Sequence, residues 1–175
     1  YYWFRVKKEA QIIIKKQGDE EGIKFISSKF NKIKDPNVKM VFDIANFYKN
    51  SKNYKEAIMY YTKIISSLEY SSEIKSDLLY RRGGSYERLG EHEKADEDLL
   101  NSLKINPDDA YVLNYLAYSW LERDVKIVEA MQMLKKAYAL KSNDPYITDS
   151  IGWAYYLIEN YVEAEKYIKK AVELM

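Results

Sequence analysis

Ser150-Ile151-Gly152-Trp153-Ala154-Tyr155-Tyr156, followed by Tyr161-Val162-Glu163-Ala164 and then by Ile168 and Ala171, decides the reading of this chain. Small and bulky side chains alternate here at fixed offsets: Gly152, Tyr155, Ala164, Ile168, Ala171. The same spacing occurs upstream at Ala45, Tyr48, Ala57, Tyr61 and Ile64, and again at Gly83, Tyr86, Ala95, Leu99 and Ser102. A further copy reads Ala117, Trp120, Ala130, Leu134 and Ala137, with one extra residue in its internal turn around Asp124 to Ile127. A fainter copy opens the chain at Ala10, Ile13, Gly22, Ile26 and Lys29.

The first small residue of each copy falls at positions 10, 45, 83, 117 and 152, in steps of 35, 38, 34 and 35. Helix packing explains the pattern. A Gly or Ala on one helix lets a second helix approach closely, a small residue on the second answers it, and the aromatic fills the adjoining gap. Glycine within a helix costs about 1 kcal/mol relative to alanine, so Gly83 and Gly152 need such a packing reason. The three prolines, Pro36, Pro107 and Pro145, all fall between copies. Asp144-Pro145 reads as an N-cap followed by proline at the first helical position. Gly18 and Gly90 fall where paired helices turn. The spacing predicts helices near 3–17, 20–34, 38–51, 54–70, 76–89, 92–105, 110–123, 127–141, 145–158 and 161–174. The 38-residue step is assigned to a longer second helix and linker near Ser66 to Ser76.

A helix–turn–helix unit of about 34 residues, repeated with these small and aromatic positions, resembles the tetratricopeptide repeat. The resemblance covers essentially the whole chain. It implies an all-α fold, a right-handed superhelical solenoid of about five repeats near 3–37, 38–75, 76–109, 110–144 and 145–175, forming one domain. The segment Asn114-Tyr115-Leu116-Ala117-Tyr118, with Glu129-Ala130 and residues 149–156, is similar to the last repeats of large bacterial tetratricopeptide proteins. Many of those are exported or lipid-anchored, and some are adaptors. The chain begins at Tyr1 rather than Met and is expected to be a piece of a longer one.

In this family the first helix of each repeat lines a concave groove. The resemblance places Phe42, Asn46, Tyr80, Tyr111, Asn114, Tyr118, Tyr146, Asp149, Trp153 and Tyr156 there as partner-binding positions. Lys7, Gln11, Ile14, Lys39, Lys49, Asp77, Gly84, Glu87 and Leu121 occupy the remaining ones. Tyr and Trp are large, rigid anchors with a polar tip, and Asn can bond both groups of a peptide unit. Such a groove suits an extended peptide or a partner's helix. The competing reading is that these tyrosines only pack between repeats. Co-chaperone members hold a carboxylate with lysines, arginines and asparagines. Here Asn46 matches, but downstream positions carry Tyr111, Tyr115 and Tyr146 beside Arg81, so most of the basic set is missing.

Composition removes other functions. There are no cysteines and one histidine, His92, in 175 residues, which excludes disulfides and zinc–thiolate sites, argues against a histidine metal site or triad, and leaves no expected cofactor or metal. No nucleophile elbow or phosphate loop is present, so no enzyme is expected. Net charge is +1, and the basic first helix (Lys7, Lys8, Lys15, Lys16) comes without a nucleic-acid motif, so nucleic acid is not an expected partner. No apolar run reaches the roughly 18 residues of a membrane span. Residues 1–75 hold 15 Lys+Arg against 9 Asp+Glu, and residues 76–175 hold 13 against 18, which reads as ordinary variation across solvated faces. Asp96-Glu97-Asp98 reads as a solvated acidic helix face. Tyr1-Tyr2-Trp3-Phe4 is expected to pack on an upstream repeat or to cover the first helix pair. The last helix ends at Leu174-Met175 with no polar helix after it, and is expected to meet either a further segment or a second copy. The lysine-rich, arginine-poor composition fits an AT-rich bacterial genome and leaves the compartment open between cytoplasmic and exported.

Overall fold

The structure, a computed structural model, describes residues 1–67 and 72–175. Among them the chain forms ten α-helices and no strand: α1 (Tyr2–Gln17), α2 (Asp19–Phe30), α3 (Val38–Asn50), α4 (Tyr54–Ile65), α5 (Ser72–Arg88), α6 (His92–Ile105), α7 (Ala110–Glu122), α8 (Ile127–Leu140), α9 (Pro145–Leu157) and α10 (Tyr161–Leu174). The all-α expectation holds.

Local chemistry sets the helix ends. Asn37 accepts a hydrogen bond from the Met40 amide at 3.0 Å and starts α3. Asp144 accepts from the Ile147 amide at 3.1 Å, with Pro145 in the first turn of α9 as its neighbour. Asp109 and Asn160 cap α7 and α10 in the same way. These caps satisfy amides that a helix leaves without an internal partner. Gly18 (φ 97°) and Gly90 (φ 75°) occupy positive-φ turns between α1 and α2 and between α5 and α6. The extra residue between α7 and α8 is accommodated by two left-handed residues, Asp124 (φ 54°) and Lys126 (φ 50°).

Three boundaries differ from expectation by four residues or more. The helix expected over 20–34 ends at Phe30. The helix expected over 54–70 ends at Ile65, with Ser66 as its C-cap, and the part of that expectation at residues 68–70 lies outside the described residues. α5, expected to begin at 76, already runs from Ser72 and has 17 residues. The extra length of that repeat therefore extends its first helix. Glu73 and Lys75 lie on exposed early turns of α5, where a polar helix grows without needing a partner.

Residues Tyr1–Asp98 and Leu99–Met175 form two compact units, the division falling within α6. In unit 1, α1 pairs with α2 and α3 with α4, and α4 packs on α5. Its core holds Trp3, Val6, Ala10, Ile26, Phe30, Val41, Ile44, Ala45, Ala57, Tyr61, Ile64 and Leu78. In unit 2, α7 pairs with α8 and α9 with α10, and α9 also touches α7 and α8. Ala110, Leu113, Ala137 and Ile147 form a core cluster there.

The small residues lie where close helix approach requires them. Ala57, Ala95, Ala117, Ala130, Ala164 and Ala171 are buried, as are Gly83 and Gly152. A Cβ on Gly152 would stand 2.9 Å from Ile168 Cγ1 and 3.1 Å from the Ile168 amide nitrogen. A Cβ on Gly22 would overlap the Ile14 side chain, so the first pair, faint in sequence, packs by the same device.

Candidate functional site

In unit 1 the positions expected to face a groove sit on α1, α3 and α5. Lys7, Gln11 and Asn46 line a cavity of about 470 Å³ together with Phe4, Asp43 and Asn50. Asp43 ties its wall together. The carboxylate accepts from Trp3 Nε1 at 3.0 Å and pairs with Lys7 Nζ at 2.7 Å. Trp3 is thereby buried, while Tyr1, Tyr2 and Phe4 are exposed, so the aromatic N-terminus divides between core and surface.

The side-chain oxygen of Asn46 is already engaged. It accepts from Tyr61 Oη at 2.7 Å and from Arg81 Nη1 at 3.2 Å. Arg81 also donates Nε–H to Asp77 at 2.8 Å, and its guanidinium lies 5.3 Å from the centre of the Phe42 ring. Phe42 is half-buried beside Tyr61, with 6.4 Å between ring centres. Burial, then the Arg81 charge, pulls the Lys49 pKa down, with Asp77 opposing. Burial drives the Tyr61 hydroxyl well above its ordinary value of 10. Tyr80 is half-buried on the same helix as Arg81. Phe42 and Asn46 thus belong to an internal network, which sequence spacing could not show because Arg81 lies 35 residues from Asn46.

In unit 2 the expected positions present a different surface. Tyr111, Asn114 and Tyr118 follow one face of α7, and Tyr146, Asp149, Trp153 and Tyr156 follow one face of α9. Tyr111, Tyr118, Tyr146, Asp149 and Tyr156 are exposed, Tyr146 at 72%. Trp153 and Tyr156 stack at 5.3 Å with planes 13° apart, and Tyr156 meets Tyr161 at 5.6 Å. Leu121, expected in the groove, is buried at 3%. The adjacent Glu122 is exposed, and its charge acts on the Tyr118 hydroxyl. Burial, then Glu122, then Asp149 raise the Tyr118 pKa, which places its hydroxyl under the influence of both carboxylates. Asn114 Oδ1 and Trp153 Nε1 are shielded from solvent and have no hydrogen-bond partner among the described residues. Glu122 was missed because it lies one residue past the groove position that spacing marks, at the last turn of α7.

The acidic run on α6 is not uniformly solvated. Asp98 is 4% exposed and is held by Arg82. Arg82 donates Nε–H and Nη2–H to the two oxygens at 2.7 Å each, and Nη1–H to Thr62 at 3.0 Å. Asp98 faces inward from a helix whose neighbour Glu97 is exposed. No group of His, Asp or Glu among the described residues is arranged to hold a metal ion, and no helix among them is long and apolar enough to cross a membrane.

Comparison with known proteins agrees with the helical pairs. A sequence model of the tetratricopeptide repeat matches residues 38–67, 76–109 and 150–174, half of the chain. A TPR repeat-containing protein of Pseudomonas aeruginosa is 33% identical over 97 residues, which is 55% of this chain and 16% of that protein. The chain therefore matches only a small part of that relative's length. Among solved structures, MamA has a TM-score of 0.73 at 21% identity, covering 94% of this chain and 93% of its own. YrrB, described as a TPR protein with an unusual peptide-binding site, has a TM-score of 0.65 at 16% identity, covering 97% and 84%. At these identities the two structures show the fold. With its repeat pattern, its paired helices and its buried small residues in agreement with the sequence match, this chain belongs to the tetratricopeptide repeat family.

Proposed function

We propose that the chain is a non-catalytic protein-interaction scaffold that takes an extended peptide or a partner's helix in the concave groove lined by the first helices of its repeats. One observation carries this. On α7 and α9, Tyr111, Tyr118, Tyr146, Asp149 and Tyr156 are exposed on the helix faces expected to bind, while Ala117 and Gly152 beside those faces are buried. Rigid aromatics with polar tips on a fixed helical frame are the usual anchors of a protein interface. The peptide-binding site of YrrB supports the same reading by likeness of fold.

The test is capture of partners from the native organism's extract by the wild-type chain and by Tyr118→Ala plus Trp153→Ala. Circular dichroism of both checks that the helices survive. Each anchor that contacts a partner contributes about 1–3 kcal/mol, so the double variant is expected to release it. Retention of every partner by a folded double variant argues against this face.

A structural spacer or self-associating segment is the second reading, and two features favour it. Asn46 and Phe42 serve internal contacts in unit 1. On α10, Tyr161, Val162 and Val172 are exposed, as is Met175 just after it. Light scattering over a concentration series separates the two: a mass that rises with concentration favours self-association, and a constant monomer mass argues against it.

A further inference from the structure

We infer that the α7–α9 face of unit 2 selects partners by a lysine or arginine side chain, seated between the Glu122 and Asp149 carboxylates and the Trp153–Tyr156 ring stack. This rests on the groove-binding reading above and names the chemistry of its occupant.

Charge distribution is the first support. α7 and α9 contain no Lys or Arg, and their ionised side chains are Glu122 and Asp149 alone. The lysines nearest in sequence are on α8, α10 or at helix termini, several of them already engaged. Lys135 lies over the Tyr155 ring, Lys136 pairs with Asp108, Lys166 with Glu163, and Lys170 donates to Tyr138. Arg123, at the C-cap of α7, donates Nε–H to the Ser119 carbonyl at 3.1 Å. Neither Glu122 nor Asp149 forms an ion pair with a basic side chain among the described residues. Helices α7 and α9 themselves therefore carry two negative charges and no cation; Lys141 lies over the Tyr111 ring, at the other end of α7 from Glu122, and the balance around Glu122 and Asp149 favours a positive partner.

The aromatics supply the second support. The face of an aromatic ring attracts a cation, most strongly for tryptophan, and rings flanked by carboxylates form a site suited to ammonium or guanidinium. An acidic or purely apolar segment gains nothing from this pairing and meets like charge or desolvated carboxylates.

The third support is independent of charge. Asn114 Oδ1 and Trp153 Nε1, one acceptor and one donor, are buried on these same two helices without a partner among the described residues. Such groups are costly to leave unbonded. They match the N–H and C=O of a partner's main chain, which reaches them only when the side chains now shielding both atoms move aside.

The experiment uses the whole chain, isotopically labelled, and three short extended peptides blocked at both ends, identical except for Arg, Gln or Glu at the centre. The Trp153 indole N–H resonance reports binding, and its assignment is confirmed with Trp153→Phe. The Arg probe is expected to shift that resonance and to bind about tenfold more tightly than the Gln probe, with the Glu probe weakest. Glu122→Gln plus Asp149→Asn should erase the Arg-over-Gln preference while leaving the melting temperature and the weak Gln-probe binding in place. Equal binding of Arg and Gln probes, tighter binding of the Glu probe, or an unchanged preference in the double variant overturns the cationic occupant and leaves the groove reading standing. No shift with any of the three probes overturns both.

Discussion

Arg82 grips Asp98 through two parallel hydrogen bonds of 2.7 Å, joining α5 to α6 across sixteen residues of sequence, with both side chains largely withdrawn from water. The hydrogen bonds donated to Asp98, working against burial, raise the pKa of Arg82. A raised folded-state pKa stabilises the fold below the unfolded value and loses that contribution only as pH climbs through the folded one. For an arginine this window lies above any usable pH, so Arg82 stays charged throughout. Asp98→Ala is expected to cost about 3–5 kcal/mol, because the guanidinium is left buried with only Thr62 to satisfy it. Urea unfolding measures this, and a loss below about 1 kcal/mol would show that the pair is solvated in solution.

Gly152→Ala is expected to lower stability by about 1–3 kcal/mol, although alanine is the better helix former. The added methyl meets Ile168 at 2.9 Å and Tyr167 Cβ at 3.2 Å, and neither helix can retreat without opening the α9–α10 pair. Thermal melting of the variant checks it. A melting temperature equal to or above that of the wild type would contradict the close crossing.

Alkaline pH should loosen unit 1. The Tyr61 hydroxyl is held above its ordinary value of 10, chiefly by burial. The folded state thus keeps a proton that the unfolded state loses, and stability present below pH 10 falls as pH rises beyond it. Tyr61→Phe removes that drop, at a cost of about 0.5–1.5 kcal/mol at neutral pH for the bond to Asn46. Unfolding free energies at a series of pH values, for wild type and variant, test both statements. Parallel curves would exclude Tyr61 as the source.

Asp43→Ala should free the first helix. One carboxylate oxygen receives both Trp3 Nε1 and Lys7 Nζ, so its loss removes two charge-assisted contacts between α1 and α3. The expected cost is about 1.5–3 kcal/mol. Hydrogen exchange should accelerate in α1 more than in α9, and uniform acceleration would mean that the contact is not local.

Much of this fold can be read from the sequence because the repeat is a packing device written in side-chain size. Ala57, Gly83, Ala117 and Gly152 mark crossings where only small residues fit, and Pro145, Gly18 and Gly90 mark the breaks. The groove faces of α7 and α9 follow from the same spacing. What spacing cannot reveal is pairing across helices. Asp98 looks solvated beside Asp96 and Glu97 until Arg82 is brought onto it. Asn46 looks available until Tyr61 and Arg81 converge on its oxygen. Leu121 and Glu122 differ by one residue, about 100° around the helix, and the small-residue register marked the wrong one. The surplus between the second and third repeats was visible as a 38-residue step, but a step length does not say which helix carries it.

The missing lysines of α7 and α9 also decide how this molecule meets amine-directed chemistry. Acylating dyes, amine cross-linkers and resin coupling attack exposed lysines, and in unit 2 these sit on α6, α8, α10 and the helix caps. Random immobilisation through amines would therefore not attach through α7 or α9 themselves, and would reach the aromatic face through Lys141, over the Tyr111 ring. Because the chain has no cysteine, one thiol introduced beside that face would be its sole point of maleimide attachment. Lysine labelling and thiol labelling thus become orthogonal handles, one for holding the scaffold and one for watching its groove.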